Sequence, residues 1–353
     1  MKSIIIGTGS YIPRNVATNE GFEQHSFYNE DGSPLSHENT VIIEKFKAIT
    51  GISERRYIDS GLVTSEIAAK ASEKAIEDAK LDRETLDYII VAHNYGDVKH
   101  GTHQSDTVPS LASRVKHLLK IKNPQCVAYD ILFGCPGWVE GVIQAHAFMK
   151  AGMAKNCLII GAETLSRVVD HHDRDSMIYS DGAGAAILAI SENATHGIMA
   201  HHSATFAYDE AHFIYFGESY NQELNDARRY IKMYGRKIYE FAITHVPNAM
   251  KECLEKAQVA IEDVKKVFIH QANEKMDEAI IQRFYKLYDK TAPESVMPMT
   301  INKLGNSSVA TVPTLYDLVR NNMLEGHQIE SGDIVIFASV GAGMNINAIV
   351  YRV

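Results

Sequence analysis

Gln125-Cys126-Val127-Ala128-Tyr129-Asp130-Ile131 runs into Leu132-Phe133-Gly134-Cys135-Pro136-Gly137 and then into residues 138–151, which are apolar at almost every position. A short apolar run, a turn bracketed by glycines and a helical pattern without a polar face together read as buried strand, tight turn and buried helix. The same alternation extends in both directions. Upstream, residues 86–92 form another apolar run. Before them, residues 65–80 place Ile67, Ala68, Ala71, Ala75, Ile76 and Ala79 at helical spacing, with charged residues between. Residues 1–14 read as a strand closed by Gly7, Gly9 and Pro13. Residues 20–39 are polar, contain Asp31-Gly32 and Pro34, and read as a surface loop. Downstream, strands are expected at 157–161, 183–190 and 264–269, with a closing pair at 333–339 and 345–353. Helices are expected at 235–257, with Pro247 as a kink, and at 275–288.

Two stretches repeat. Residues 81–93 and 261–270 each pass from a polar helix end into an apolar strand that ends in His. Gly182-Ala183-Gly184 and Gly341-Ala342-Gly343 each precede an apolar strand. Alternating strands and helices with this weak internal repeat predict an α/β fold built from two similar halves. The halves are placed at residues 1–192 and 193–353, with a site formed by strand ends from both.

Composition narrows the function. The 353 residues are 45% hydrophobic and 22% charged, with a net charge of −9. That composition is globular, and an acidic chain lacking a basic stripe is a poor nucleic-acid binder. No apolar run approaches the length needed to span a bilayer. The opening Met1-Lys2-Ser3-Ile4-Ile5-Ile6 is too short for the apolar core of a signal peptide. Four cysteines without paired spacing point to a reduced, cytoplasmic protein. His100-x-x-His103 and His171-His172-Asp173 lack a third ligand at a familiar spacing, so no metal is expected. Neither a dinucleotide fingerprint nor a phosphate loop is present.

Three residues stand out as chemically capable. Cys135 lies where a strand gives way to a helix, with Pro136 suited to the first turn. The positive end of the helix dipole there favours thiolate. Read blandly, it is a small buried hydrophobe, as Cys126, Cys157 and Cys253 are taken to be. His270 ends a strand and is followed by Gln271-Ala272-Asn273. A His at a strand exit points into the crevice that strand ends form, or simply caps the strand. Asn306, after Gly305, is by itself only a turn residue.

Taken together, Cys135-Pro136-Gly137-Trp138, the run from Ser180 to Ala186, His270-Gln271-Ala272-Asn273 and the run from Gly305 to Pro313 resemble the β-ketoacyl-acyl carrier protein synthase III family. The similarity extends from Gly7-Thr8-Gly9 to Gly341-Ala342-Gly343. It implies a thiolase-like fold of two similar halves in five layers, α-β-α-β-α, assembled as a homodimer. It also implies a Cys-His-Asn triad of Cys135, His270 and Asn306, with an oxyanion hole from the backbone N–H groups of Cys135 and Ala342. The implied activity loads an acyl group on Cys135 and then performs a Claisen condensation with a malonyl-type thioester. CoA or acyl carrier protein thioesters serve as substrates, without metal or redox cofactor, and His270 must be neutral.

Departures from the family pattern suggest a specialised relative. Val340 stands where the family usually has Phe. Val108 replaces a bulkier residue that limits the acyl pocket of the partner subunit, leaving room for a long or branched chain. Glu44-Lys45-Phe46-Lys47-Ala48-Ile49 lacks the family's Trp and Arg for the CoA adenine, although Arg174 matches an Arg near that nucleotide. The loop at residues 20–40 is longer than usual. Lys275, Arg283 and Lys286 on one helix are candidates for docking an acidic carrier. Other readings are a secondary-metabolism ketosynthase making alkylresorcinol or cyclohexanedione precursors, a non-catalytic partner subunit of a heterodimeric synthase, and a thioesterase.

Overall fold

The computed structural model describes residues 2–192, 195–224 and 227–353. The boundary expected between the halves, after residue 192, adjoins residues outside that set. The first sheet contains β1 (Lys2–Tyr11), β4 (Tyr88–Ala92), β5 (Val127–Ile131), β6 (Asn156–Thr164) and β7 (Asp181–Ser191), in the order β1-β7-β6-β4-β5. The small strands β2 (Asn15–Thr18) and β3 (Glu54–Tyr57) form an antiparallel pair beside it. The second sheet contains β8 (Gly197–Thr205), β11 (Val264–Ile269), β12 (Ile334–Gly341) and β13 (Asn345–Arg352), in the order β11-β12-β13-β8. Between β8 and β11, β9 (Ile214–Gly217) and β10 (Tyr230–Met233) make a separate antiparallel ribbon.

The two large sheets share one pairing pattern. β4 runs parallel to β6, which pairs antiparallel with β7, and β7 pairs antiparallel with β1. In the second sheet, β11, β12, β13 and β8 repeat that parallel, antiparallel, antiparallel sequence. The two stretches matched in sequence therefore fall on equivalent strands, β4 with β11 and β7 with β13.

Helices fill the remaining layers. α2 (Thr64–Ala79) and α3 (Leu111–Leu118) bury Ile67, Ala71, Leu111 and Val115 against one face of the first sheet. α5 (Gly235–Ala257) and α6 (Glu274–Lys286) cover the outer face of the second sheet. α4 (Gly137–Lys150) and α8 (Thr311–Arg320) lie between the sheets, where Trp138, Val142, Leu315 and Tyr316 pack with Phe268 and Phe337. This is the five-layered, thiolase-like α-β-α-β-α arrangement. α1 (Asn39–Thr50) and α7 (Ile301–Leu304) belong to a smaller cap, where Phe22, Phe27, Ile42, Phe46 and Ile301 cluster.

Three readings change in detail. β5 is a sheet edge, with Val127 47% exposed, so it is not a buried strand. Its free side follows from its terminal place in the strand order. Pro247 lies inside the helix expected over residues 235–257 and does not end it. Residues 23–38 form a loop as expected, but a short 3-10 turn over Asn19–Phe22 precedes it, and Phe22 and Phe27 are buried and anchor the segment in the cap.

The central layer ties the sheets together at the chain's one Trp. Trp138 is 1% exposed, donates from Nε1 to the Ile159 carbonyl at 3.3 Å and meets the Phe337 ring edge-on at 5.8 Å. Trp138→Ala removes aromatic contact with both sheets and leaves a void. The expected cost is about 3–5 kcal/mol, read as a lower midpoint in chemical denaturation.

Candidate active site

The turn before α4 is held by the second sheet. Gly134 has φ of +64°, a conformation that favours glycine, and a Cβ built there would lie 2.6 Å from the Ala342 nitrogen. A Cβ on Gly341 would in turn lie 2.5 Å from the Cys135 nitrogen. The turns at Gly134-Cys135 and Gly341-Ala342 therefore pack backbone to backbone. Asn345 Nδ2 donates to the Ala342 carbonyl at 2.8 Å, and Asn347 Nδ2 donates to the Pro136 carbonyl at 3.0 Å. The main-chain nitrogens of Cys135 and Ala342 lie on these adjoining turns.

Cys135 sits deep yet is not sealed, unlike the fully buried Cys126, Cys157 and Cys253. Burial pushes its thiol up to about 11, against the lowering effect of a Ser308 hydrogen bond, while the nearby Glu163 carboxyl adds to the rise. Desolvation acts against the thiolate that the helix start favours. His270 follows β11, with its N–H on the Ala338 carbonyl at 2.9 Å. Burial pushes the imidazole down to about 4, which keeps it neutral at pH 7. Its motif neighbours serve the fold. Gln271 bonds the Pro298 carbonyl and the Thr300 N–H, and Asn273 caps α6 by accepting from Met276 N–H at 3.1 Å.

Asn306 is fixed at three points. Its N–H donates to the Ile178 carbonyl at 2.9 Å, its carbonyl accepts from Ser180 N–H at 2.8 Å, and its Oδ1 accepts from Ser308 N–H at 2.8 Å. Gly305 enters this turn with φ of +63°, and a Cβ there would meet Arg55 Cβ at 2.9 Å. Ser308 joins the three candidates. Its hydroxyl donates to Cys135 Sγ at 3.4 Å and its N–H donates to Asn306 Oδ1, while its main chain lies close enough to the His270 imidazole to act on its pKa. The sulfur, imidazole and carboxamide, far apart in the chain, are thereby brought around one residue.

Profiles of the 3-oxoacyl-[acyl-carrier-protein] synthase III family and of its C-terminal portion match residues 129–206 and 254–353. The β-ketoacyl-[acyl-carrier-protein] synthase III of Erythrobacter litoralis is 31% identical over 100% of this chain and 99% of that one. This chain belongs to the synthase III family. A second relative of that description, from Aquifex aeolicus, is 32% identical over the whole of both chains. The crystal structure of the Aquifex aeolicus 3-oxoacyl-[acyl-carrier-protein] synthase III superposes with a TM-score of 0.81, at 30% identity and covering 99% of this chain and 100% of that one.

In this family member an outer crevice of about 980 Å³ opens beside Asn306. The long loop supplies Tyr28, Leu35 and His37, α1 supplies Lys45, Phe46 and Ile49, and Arg174 lies opposite. Cys135 and His270 do not line this outer part. Arg174 is the one predicted substrate-binding residue that does. Val108 is 85% exposed and lies elsewhere on this chain's surface. Val340 is buried in the core between the second sheet and α5 and α6. Lys275 is exposed on α6, one residue from crevice-lining Met276. His171 and His172 hold the long loop: His172 Nδ1 faces the Ser26 carbonyl at 2.9 Å, and the His172 carbonyl accepts from Tyr28 N–H at 2.9 Å. Among the described residues no cluster of His, Cys, Asp and Glu could hold a metal ion, and no helix is long and apolar enough to cross a membrane.

The sequence reading assigned no role to Ser308, Asn94 or Glu163. For Glu163 a signal existed, since it is the one charged residue in the apolar run of β6.

The buried imidazole makes stability depend on pH. His270 stays neutral in the folded chain, while in the unfolded chain it takes a proton below about 6.5. The stability tied to it is full above that value and is lost as pH falls from about 6.5 to about 4. Between pH 7 and pH 5 the wild type should lose about 2 kcal/mol more than His270→Gln, measured by denaturant unfolding at the two pH values.

Proposed function

We propose that the protein is a condensing enzyme of the synthase III type, with Cys135, His270 and Asn306 as its catalytic residues. The observation that carries this reading is the meeting of those three side chains at Ser308. The Cys135 sulfur gives up its proton as it attacks an acyl thioester, and the tetrahedral intermediate expels the CoA or carrier sulfur, which takes up that proton and leaves as a thiol, giving an acyl-cysteine. The N–H groups of Cys135 and Ala342 donate to the oxyanion of that step. A malonyl-type thioester then loses CO2, and its enolate oxygen accepts hydrogen bonds from neutral His270 and from Asn306. The Oδ1 of Asn306 is already occupied by Ser308 N–H, which leaves its NH2 group as the donor. The carbanion attacks the acyl carbonyl, the C–S bond breaks, and a β-ketoacyl thioester leaves with Cys135 restored.

The crevice beside Asn306 serves as the entrance for a thioester delivered by CoA or an acyl carrier protein, with Arg174 at its wall and Lys275 on the neighbouring helix meeting the acidic groups of either. No step of this chemistry calls for a metal or redox cofactor. The assembly is a homodimer in the cytoplasm, each chain formed of the halves 1–192 and 193–353. Val108, exposed on one subunit, borders the acyl pocket of the other.

Incubation with acyl-CoA should add one acyl mass to the peptide carrying Cys135 and to no other, and Cys135→Ala should take none. His270→Ala and Asn306→Ala should still load. Each should release CO2 from a malonyl thioester at least about a hundredfold more slowly, the scale of a lost transition-state donor. Loading of wild type without condensation would instead favour a thioesterase. Across a chain-length panel, Val108→Phe should lower loading of the longest and branched acyl groups about tenfold and leave acetyl loading unaffected, the scale of steric exclusion by a few methylenes.

A further inference from the structure

Behind Cys135 lies a buried carboxyl that the reaction described above does not use. Glu163, on β6, is 1% exposed. One oxygen, Oε2, accepts from Asn94 N–H at 3.0 Å and from Asn94 Nδ2 at 2.6 Å. The other, Oε1, makes no hydrogen bond of good geometry, although the Tyr95 main-chain N–H lies near the carboxyl. The same Asn94 amide donates to the Ser308 hydroxyl oxygen at 3.1 Å, and the Ser308 hydroxyl donates to Cys135 Sγ at 3.4 Å. The order is therefore carboxyl, amide, hydroxyl, sulfur.

Directionality follows from the donor inventory. An Asn side chain has two N–H donors and one carbonyl oxygen. With Oε2 of Glu163 accepting from both its main-chain and side-chain nitrogen, the NH2 end of Asn94 is locked toward Ser308. The Ser308 oxygen is then an acceptor for that NH2, and its single hydrogen is left to point at the sulfur. Ser308 is also held in the left-handed region, at φ of +52°, a conformation that costs a non-glycine residue about 1 kcal/mol or more. An orientation maintained at that cost needs supports on both sides, and Asn306 and Asn94 supply them.

We infer that Glu163 is a positioning residue: through Asn94 it aims the Ser308 hydroxyl at Cys135, so that the sulfur meets a hydrogen-bond donor when it becomes a thiolate. The inference rests on the reading of Cys135 as nucleophile. Burial pushes the Glu163 carboxyl up to about 7, with His93 acting in the opposite direction from the end of β4. Its other charged or titratable neighbours are Cys135 and Tyr95. A proton, when present, sits on Oε1, so the acceptor role of Oε2 is the same in either state.

The test is the rate of iodoacetamide alkylation of Cys135, followed by peptide mass spectrometry across pH 6–10, for Glu163→Gln and Glu163→Leu. Both variants are uncharged, so their ratio separates hydrogen bonding from charge. Gln keeps an acceptor for Asn94, and Leu does not. Gln should react about tenfold faster than Leu near neutral pH, and the Leu profile should lie at higher pH, the scale of one hydrogen bond to a charged group. In a Ser308→Ala background the ratio should fall to about one, because the effect passes through that hydroxyl. Asn94→Ala should behave as Leu does and provides the same test if Glu163→Leu fails to fold. A ratio of one in the otherwise native protein, or a ratio that persists without the Ser308 hydroxyl, overturns the inference while leaving Cys135 as nucleophile. A wild-type Cys135 that resists alkylation overturns both.

Discussion

The contact between two turns, Gly134-Cys135 from the first sheet and Gly341-Ala342 from the second, is the constraint on which the site depends. There is no room for a side chain on either side of it, so the two backbones meet directly. Everything else at the site is placed by reference to that meeting. Asn345 and Asn347 clamp it from β13, and α4 leaves it carrying Trp138 into the layer between the sheets. A shift of either sheet would move one main-chain nitrogen away from the other.

One physical cause, burial, acts on the two reactive groups in opposite directions. It raises the thiol and lowers the imidazole, so both are neutral at rest. Exchange of a proton between them to make an ion pair is disfavoured in this enclosed setting. In the reaction proposed for the site, the neutral imidazole is the form required as a donor, and the cost of creating thiolate falls on the surrounding hydrogen-bond donors. That places weight on Ser308, whose main chain and hydroxyl reach all three groups.

The layered fold was legible because its strands and helices carry strong patterns. Ile67, Ala71 and Ala75 mark the buried face of α2, and the helix over residues 235–257 was placed to the residue. The repeat was legible at its strongest points, the strands before His93 and His270. Strands such as β8, β9 and β10 were missed: in β8, Ala200-His201-His202-Ser203 alternates half-exposed and exposed positions with no apolar face to read. The role of the edge at β5 depends on strand order, which a local pattern does not encode. Cys135, His270 and Asn306 were visible as candidate chemical residues; their shared neighbour Ser308 lay in the same motif run, but its role was not legible, because its place follows from a turn conformation. The opposing effect of burial on the thiol was not legible for a related reason. Helix position is written in the sequence, but the depth at which the sulfur lies is set by long-range packing.

The outer crevice has a different origin from the layers beneath it. Its walls come mostly from the long loop, α1, residues 173–178 and the passage from β10 into α5, none of which takes part in the pairing pattern shared by the two large sheets. The crevice walls and the layered scaffold are therefore drawn largely from different parts of the chain, with Asn306 common to both. Under the function proposed above, lengthening, shortening or exchanging those walls would change which molecules gain entry while the turns that hold the sulfur keep their relation. In that function one floor can sit under many different thresholds.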